Sequence, residues 1–278
     1  GTAKISECCR LTFKLEQSDL DDAKTPWKMR YSAMQNVTIN LPRVAYDAHQ
    51  NDARLFELLT KRIEMVAQAH ILKREFITQL FNMGKNGPLS LLTMNMDGET
   101  YYRINKSSFL VGMVGLNELV QYHTGKEMHE SKEALKFGLK VISYMKTESE
   151  RIGEEFGLKM PLEQTPAEST AYRFAKLDMK YYPLQSATVI KGNKSSGEVY
   201  YTNSTYLNVG ADISAIERVK QEGLFHPLID AGSLTHVWLG ESKPPAESIA
   251  AFVIKTFQNT QNAQIAFSPE FTSCLSCG

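Results

Sequence analysis

The sequence predicts an α/β fold with a mostly parallel sheet, because strand-like and helix-like segments alternate along the chain. Residues 36–41 alternate apolar and polar side chains and end at Pro42, which is typical of a strand. From Asp52, apolar residues recur every three or four positions as far as Leu80, which predicts one long amphipathic helix. Residues 107–114 form an apolar run that we expect to be a second strand.

The remaining elements follow from the same patterns and from glycine, proline and capping residues at their ends. We expect Asp52 to cap the long helix and Gly84 or Gly87 to end it. After this helix we expect a strand over 89–94 covered on both faces, a turn at 96–99 and a short helix from 115–118 to Gly125. A helix capped by Ser131 and ended by Gly157, a short strand over 158–162 and a helix over 166–176 should follow.

The last third of the chain predicts an exposed loop over 191–197, a strand edge at 199–201 and a helix from Asp212 to Gly223. The final elements are a strand over 234–239, a helix from Pro244 to Asn259 and a last strand over 263–267.

Composition excludes several classes of function. The chain has 278 residues, 42% hydrophobic and 22% charged, with 31 basic and 31 acidic residues. A formal charge of zero gives no support to a nucleic-acid or membrane-surface role. The sequence contains no run of about 18 apolar residues, so it predicts no transmembrane helix. Its first residues lack the basic and apolar regions of a signal peptide. We therefore expect a cytoplasmic protein that binds neither membrane nor nucleic acid.

The four cysteines form two pairs at opposite ends, Cys8-Cys9 and Cys274-x-x-Cys277. A disulfide scaffold would distribute cysteines through the chain, so this placement favours redox, radical or metal chemistry. Arg10 would stabilise a thiolate at Cys9, although two buried, inert thiols are the simpler interpretation of the first pair. The second pair is half of a tetrahedral zinc site, with a redox dithiol as the alternative.

Residues at the carboxyl ends of predicted strands are the candidates for binding, since sites of parallel sheets lie there. Three such segments are 40–43, 164–169 and 240–241. Thr165-Pro166-Ala167-Glu168 has the pattern of a capping box, with Thr165 at the N-cap and Glu168 at N3. A helix start of this kind can bind phosphate, but the Glu168 carboxylate would compete with an anion there, and an ordinary helix start is the simpler interpretation.

Five segments together resemble the anaerobic, glycyl-radical class of ribonucleotide reductase. They are Cys8-Cys9-Arg10-Leu11, the string QNVTINLPR from Gln35 to Arg43, Gly115-Leu116-Asn117-Glu118, Thr165-Pro166-Ala167-Glu168-Ser169-Thr170 with Tyr172-Arg173, and Cys274-x-x-Cys277. Their order and approximate spacing also fit, and the resemblance covers almost the whole chain. QNVTINLPR is its most specific part.

The resemblance implies a ten-stranded α/β barrel of the ribonucleotide reductase type, of which this chain holds mainly the second part. In that family a cysteine thiyl radical, generated from a glycyl radical, abstracts the ribose 3′ hydrogen, and the 2′-hydroxyl leaves as water. The radical cysteine falls on Cys9, with Cys8 as the alternate. The substrate, a ribonucleoside triphosphate, would be bound by Asn40, Thr165, Ala167, Glu168 and Ser169.

The same resemblance implies a structural zinc ion with Cys274 and Cys277 as two of its four ligands. It also implies a radical-SAM activating enzyme as partner and a homodimer. We expect residues 1–267 to form the barrel portion and residues 268–278 to begin a zinc-binding segment. The family's glycyl-radical segment, its second zinc pair and its N-terminal part are not in this sequence, so we expect the chain to be inactive alone.

The reductant and two other functions stay open. Formate-using members carry an asparagine where this sequence has Ala33, which leaves a thioredoxin-like or glutaredoxin-like donor as the alternative to formate. One other function is a glycyl-radical acyltransferase resembling pyruvate formate-lyase, which also uses adjacent cysteines. The other is an inactive, zinc-binding remnant of the reductase.

Overall fold

The computed structural model describes residues 4–6, 11–14, 24–25, 30–96 and 98–270. The strands are β1 (Lys4–Ser6), β2 (Thr12–Lys14), β3 (Ala33–Asn40), β4 (Asn95–Met96), β5 (Glu99–Thr100), β6 (Ser108–Val114), β7 (Leu162–Glu163), β8 (Lys191–Asn193), β9 (Glu198–Tyr200), β10 (Thr235–Gly240) and β11 (Ile265–Pro269). The α-helices are α1 (Leu41–Ala48), α2 (Asp52–Asn82), α3 (Leu116–Thr124), α4 (Lys132–Phe156), α5 (Glu168–Tyr181), α6 (Pro183–Val189), α7 (Ala215–Gly223) and α8 (Ala246–Asn259).

Parallel strands form the centre of the fold. β3, β6 and β7 pair in parallel in that order, and β10 pairs in parallel with β11. Backbone hydrogen bonds from Ala231 N to Leu162 O (3.0 Å) and from Gln164 N to Gly232 O (3.2 Å) join β7 to the segment that leads into β10. The prediction of an α/β fold with a mostly parallel sheet is therefore confirmed.

One face of this sheet is covered by helices α1 to α4. Ile39 and Val111 contribute to the main hydrophobic core from the strands, and Leu59 and Val141 contribute from the helices. A second cluster, around Tyr46, Val114 and Tyr201, lies between the sheet and α5. The apolar side chains of β3 pack against these helices, so its polar side chains point to the other face of the sheet.

Several sequence predictions agree with the structure. Ser131 accepts a hydrogen bond from Ala134 N (3.0 Å) and caps α4, and Gly157 ends that helix in the left-handed conformation. The strands at 107–114, 234–239 and 263–267 are present as β6, β10 and β11. The helices expected to end at Gly125, Gly223 and Asn259 are α3, α7 and α8.

Other predictions were wrong, and local contacts explain them. Residues 89–94 form a 3₁₀ helix (Ser90–Thr93) rather than a buried strand, and Leu91 is 76% exposed. The segment's apolar character therefore did not indicate burial. Residues 191–193 form β8 rather than part of a loop, because strand pairing uses backbone groups and leaves polar side chains outside. Residues 194–197 are the turn of the β8–β9 hairpin, so the loop prediction holds for them.

Helix and strand ends account for the remaining corrections. Asn51, not Asp52, caps α2 by accepting from Arg54 N (2.9 Å), and Ser214, not Asp212, caps α7. The outer half of the α2 stripe is exposed at Leu72 and Phe76. The strand expected over 158–162 is reduced to β7.

Candidate functional site

The polar side chains of three neighbouring strands meet on the face of the sheet away from α2 and α4. Thr38 of β3 is in register with Gly112 of β6, which is in register with Glu163 of β7. Side chains two residues apart on a strand share a face, so Asn36 and Thr165 extend the same polar row. This row is the central part of the candidate site.

Asn36 of β3 connects the row to β7 by reaching across β6. Its side-chain amide nitrogen donates to Glu163 Oε2 and to Thr165 Oγ1 (3.1 Å). Glu163 is only 5% exposed, so a carboxyl group is held here largely away from water. Such a group can exchange a proton with a ligand that comes within hydrogen-bonding distance of it.

Gly112 makes room for this contact. A Cβ at residue 112 would lie 2.9 Å from Thr38 Oγ1 and closer still to the side-chain oxygens of Asn36 and Thr165. Contacts that short do not occur for real side chains. The absence of a side chain at Gly112 therefore permits the hydrogen bonds between β3 and β7.

Asn40, at the carboxyl end of β3, is committed to the protein itself. Its Oδ1 accepts from Arg43 N (3.2 Å) and so caps α1, and its Nδ2 donates to Asp178 Oδ2 (2.9 Å). Asp178 is fully buried and also accepts from Arg43 Nε (2.8 Å) and from the Tyr201 hydroxyl (3.0 Å). Asn40 thus fixes the end of β3 against α5.

Electrostatics reinforce this arrangement around Asp178. Burial acts to lower the pKa of the Arg43 guanidinium, but its hydrogen bond and ion pair with Asp178 outweigh burial and raise it. Burial also raises the pKa values of the Tyr46 and Tyr201 hydroxyls, which lie 2.9 Å apart. Both tyrosines therefore stay neutral and act as hydrogen-bonding groups.

The segment from Thr165 to Ser169 enters α5 in a way that corrects the capping-box prediction. The helix begins at Glu168 with Ala167 at the N-cap and no side-chain cap. Thr165 is turned to Asn36 instead, and the Glu168 carboxylate accepts from Asn203 Nδ2 (3.3 Å). The first-turn N–H groups of α5 therefore have no acceptor from a cap, which is the condition for binding an anion.

The segment from Gly115 to Glu118 begins α3 and packs closely against neighbouring segments of the chain. Gly115 has φ of 82°, and a side chain there would overlap the Pro42 ring, so the ends of β3 and β6 approach closely. Glu118 is fully buried and accepts from Thr202 N (3.0 Å) and Thr202 Oγ1 (2.5 Å). Burial raises the pKa of the Glu118 carboxyl, and the hydrogen bonds from Thr202 offset part of that effect.

A cavity of about 460 Å³ lies beside this site. α5 contributes Glu168 and Ala171, α7 contributes Arg218 and Glu222, and the 200–209 segment closes a third side. β10 contributes His236 and Trp238 to the remaining wall. The cavity thus extends from the first turn of α5 to the side of β10 that carries His236 and Trp238.

Of the predicted site residues, the structure brings Thr165, Ala167, Glu168 and Ser169 to one edge of the sheet and places Asn40 at the end of β3. Cys8, Cys9, Cys274 and Cys277 lie outside the described residues. Sequence reasoning missed Asn36, Glu163, Asp178 and Glu222. Asn36 lay inside the most specific string, and Glu163 was a charged residue directly after a predicted strand, so both had a signal.

Comparison with known proteins fits this geometry. A family model described as anaerobic ribonucleoside-triphosphate reductase matches residues 1–278. The chain belongs to the anaerobic ribonucleoside-triphosphate reductase family. The enzyme of that name from Enterobacteria phage T4 is 26% identical over 227 residues, which cover 77% of this chain and 34% of that protein. The Escherichia coli K12 enzyme is 22% identical, with 72% and 28% covered.

The structure also resembles solved structures of reductases. The anaerobic ribonucleotide reductase of Thermotoga maritima, in a complex with dATP and CTP, superposes with a TM-score of 0.69 at 18% identity. The match covers 86% of this chain and 37% of that one. This confirms the expected fold, a part of the reductase barrel. The chain spans about a third of the length of the reductases it matches.

Proposed function

We propose that the complete protein reduces ribonucleoside triphosphates to 2′-deoxyribonucleoside triphosphates under anaerobic conditions. The observation that supports this best is the Asn36–Glu163–Thr165 cluster, which lies directly before the uncapped start of α5. A shielded carboxyl group beside an anion-binding helix start suits a substrate that carries both hydroxyl groups and phosphates. Membership of the reductase family supports the same assignment.

The triphosphate would lie at the start of α5. The backbone N–H groups of Glu168 and Ser169 and the Ser169 hydroxyl are the donors, and the positive end of the helix favours a negative group. The Glu168 carboxylate would oppose it, but its hydrogen bond with Asn203 directs it towards the 200–209 segment. Thr165 and Ala167 would shape the loop that leads into the helix.

The ribose would lie over the polar row. The reaction takes a proton from one ribose hydroxyl and delivers one to the 2′-oxygen that leaves as water, and a single carboxyl group can do both. Glu163 would have this role, with Asn36 holding its orientation. Asn40 would act by fixing the end of β3. Each turnover consumes two electrons and two protons. A thioredoxin-like or glutaredoxin-like dithiol would supply all of them as it becomes a disulfide; formate would supply both electrons and one proton as it becomes CO₂, and the second proton would come from solvent.

Cys9 would carry the thiyl radical, with Cys8 as the alternate. The glycyl radical, once formed by a radical-SAM activating enzyme, would supply the unpaired electron to that cysteine. Cys274 and Cys277 would hold a structural zinc ion with two further ligands. We further propose a homodimer that works in the cytoplasm. No helix among the described residues is long and apolar enough to cross a membrane.

The test is the conversion of CTP to dCTP by the complete, anaerobically activated protein. Wild type should form dCTP, and Glu163→Gln should reduce kcat by roughly 10²–10⁴-fold, as expected for loss of acid–base catalysis. Glu154→Gln, an exposed change on α4, is the matched control and should leave the rate unchanged. An inactive wild type that is stabilised against heat by pyruvate and coenzyme A, rather than by nucleoside triphosphates, would contradict the proposal.

A further inference from the structure

Glu118, in the first turn of α3, is a buried carboxyl group that is hydrogen-bonded to one residue of the 200–209 segment. Its Oε2 accepts from Thr202 N (3.0 Å) and its Oε1 accepts from Thr202 Oγ1 (2.5 Å). The residue is 0% exposed, so the carboxyl group cannot itself contact a ligand in the neighbouring cavity. Any effect of Glu118 on binding must therefore pass through Thr202.

The backbone that follows Thr202 needs support from its surroundings. Ser204 has φ of 45°, a left-handed conformation that is uncommon for residues other than glycine and persists only where neighbouring contacts impose it. Gly115 N donates to Thr202 O (2.9 Å), and Leu116 N donates to Ser204 O (3.2 Å). Together with the two hydrogen bonds of Glu118, these contacts fix residues 202–204 against the start of α3.

Asn203, between the two fixed residues, reaches the start of α5. Its Nδ2 donates to Glu168 Oε1 (3.3 Å), and Glu168 is the first residue of that helix. The free N–H groups and the dipole at a helix start attract negative charge, so an unrestrained Glu168 carboxylate would stay near them and repel an anionic ligand. The hydrogen bond from Asn203 holds this carboxylate towards the 200–209 segment instead.

We propose that Glu118 is a positioning residue for the triphosphate site at the start of α5. By fixing Thr202, it places Asn203 where the amide holds Glu168 aside, which leaves the first-turn N–H groups to the phosphates. The proposal rests on the proposed function, because it takes this helix start as the place where the triphosphate binds. It requires the geometry of the Glu118 side chain and not its charge, since a glutamine can both accept from Thr202 N and donate to Thr202 Oγ1.

The test measures the affinity of the complete protein for CTP by calorimetry, without radical activation. Glu118→Ala should weaken CTP binding by about tenfold, because the released Glu168 carboxylate then opposes the triphosphate. Glu118→Gln should bind CTP as wild type does, because it keeps both contacts with Thr202. Glu155→Ala, which removes an exposed glutamate of α4, is the control and should not alter the affinity.

A second substitution, Glu168→Gln, distinguishes this role from a general loss of structure. A neutral side chain does not repel the triphosphate, so Glu118→Ala should cost little CTP affinity when Glu168→Gln is already present. Asn203→Ala removes only the donor to Glu168 and should reproduce both results, which keeps the proposal testable if Glu118→Ala does not fold. An equal loss in both backgrounds, or an unchanged affinity in Glu118→Ala and Asn203→Ala, would overturn the proposal.

Turnover by the activated protein separates a failure of this proposal from a failure of the proposed function. Glu118→Ala should raise KM for CTP by a similar factor and change kcat much less, because Glu118 takes no part in the chemistry. If wild type binds CTP but forms no dCTP, the proposed function fails and the affinities still decide the role of Glu118. If wild type forms dCTP and Glu118→Ala binds CTP normally, only the role of Glu118 fails.

Discussion

The side chain of Asn36 reaches across Gly112 to hydrogen-bond with the Glu163 carboxylate, which links β3 to β7 over the strand between them. The contact places a polar cluster in the sheet close to the start of α5. It also depends on the absence of a side chain at Gly112. Gly112, Asp178, His70 and the Cys8-Cys9 pair each lead to a measurable prediction.

Gly112→Ala should destabilise the protein and disrupt the polar row. The new methyl group would overlap the side chains of Asn36, Thr38 and Thr165, and overpacking of this kind costs about 1–3 kcal/mol. The measurement is the free energy of unfolding in urea. Gly210→Ala is the control, because a Cβ there meets only Asn208 Oδ1, at 3.6 Å. Equal stabilities for the two variants would show that the row tolerates a side chain.

Asp178→Ala should cost far more than the loss of an exposed ion pair. Asp178 is fully buried and joins Asn40, Arg43 and Tyr201, so its removal leaves a partly buried cation and two polar groups without an acceptor. Breaking such a buried pair costs about 3–5 kcal/mol. Glu57→Ala, which removes only exposed ion pairs, should change the free energy of unfolding far less. Similar unfolding free energies for both variants would contradict the role given to Asp178.

His70 should make stability depend on pH in the acid range. Burial lowers its pKa from 6.5 to about 4, and its Nδ1 has no hydrogen-bond partner among the described residues. The folded state therefore favours the neutral ring. Its contribution is fully present above pH 6.5 and is lost as the pH falls from 6.5 towards 4, by on the order of 3 kcal/mol.

The variant His70→Gln isolates this effect. Glutamine can keep the hydrogen bond with Leu110 O but does not titrate. The difference in unfolding free energy between wild type and variant should shrink as the pH falls from 6.5 to 4. Glu222, whose pKa is raised, changes stability in the opposite direction over the same range, but it is present in both proteins and cancels from the difference. A difference independent of pH would show that His70 is not held neutral.

The strands and the long helices could be predicted because each is long enough for its pattern to be unambiguous. β6 is buried throughout, and α4 has a serine cap and a terminal glycine. Short elements could not be predicted in the same way. Residues 89–94 have the composition of a buried strand, but Leu91 and Met94 are exposed and the backbone forms a 3₁₀ turn. Burial depends on neighbours that are distant in sequence.

The site was predictable in place but not in detail. The segment at 165–169 was expected at a strand end, and it is there. Its local pattern suggested that Thr165 caps the helix. The Thr165 hydroxyl instead accepts a hydrogen bond from the side chain of Asn36, 129 positions away in sequence. Asp178 and Glu222 lie on helices whose sequence gives no sign of a site, because their importance comes from burial against other elements.

The most direct test of the account compares Cys9→Ser with Cys8→Ser in the complete, anaerobically activated protein. The measured quantity is dCTP formed from CTP, with the glycyl radical counted in both variants by electron paramagnetic resonance. The account predicts a normal radical content in both, no dCTP from Cys9→Ser, and dCTP from Cys8→Ser. Formation of dCTP at the wild-type rate by Cys9→Ser would contradict it.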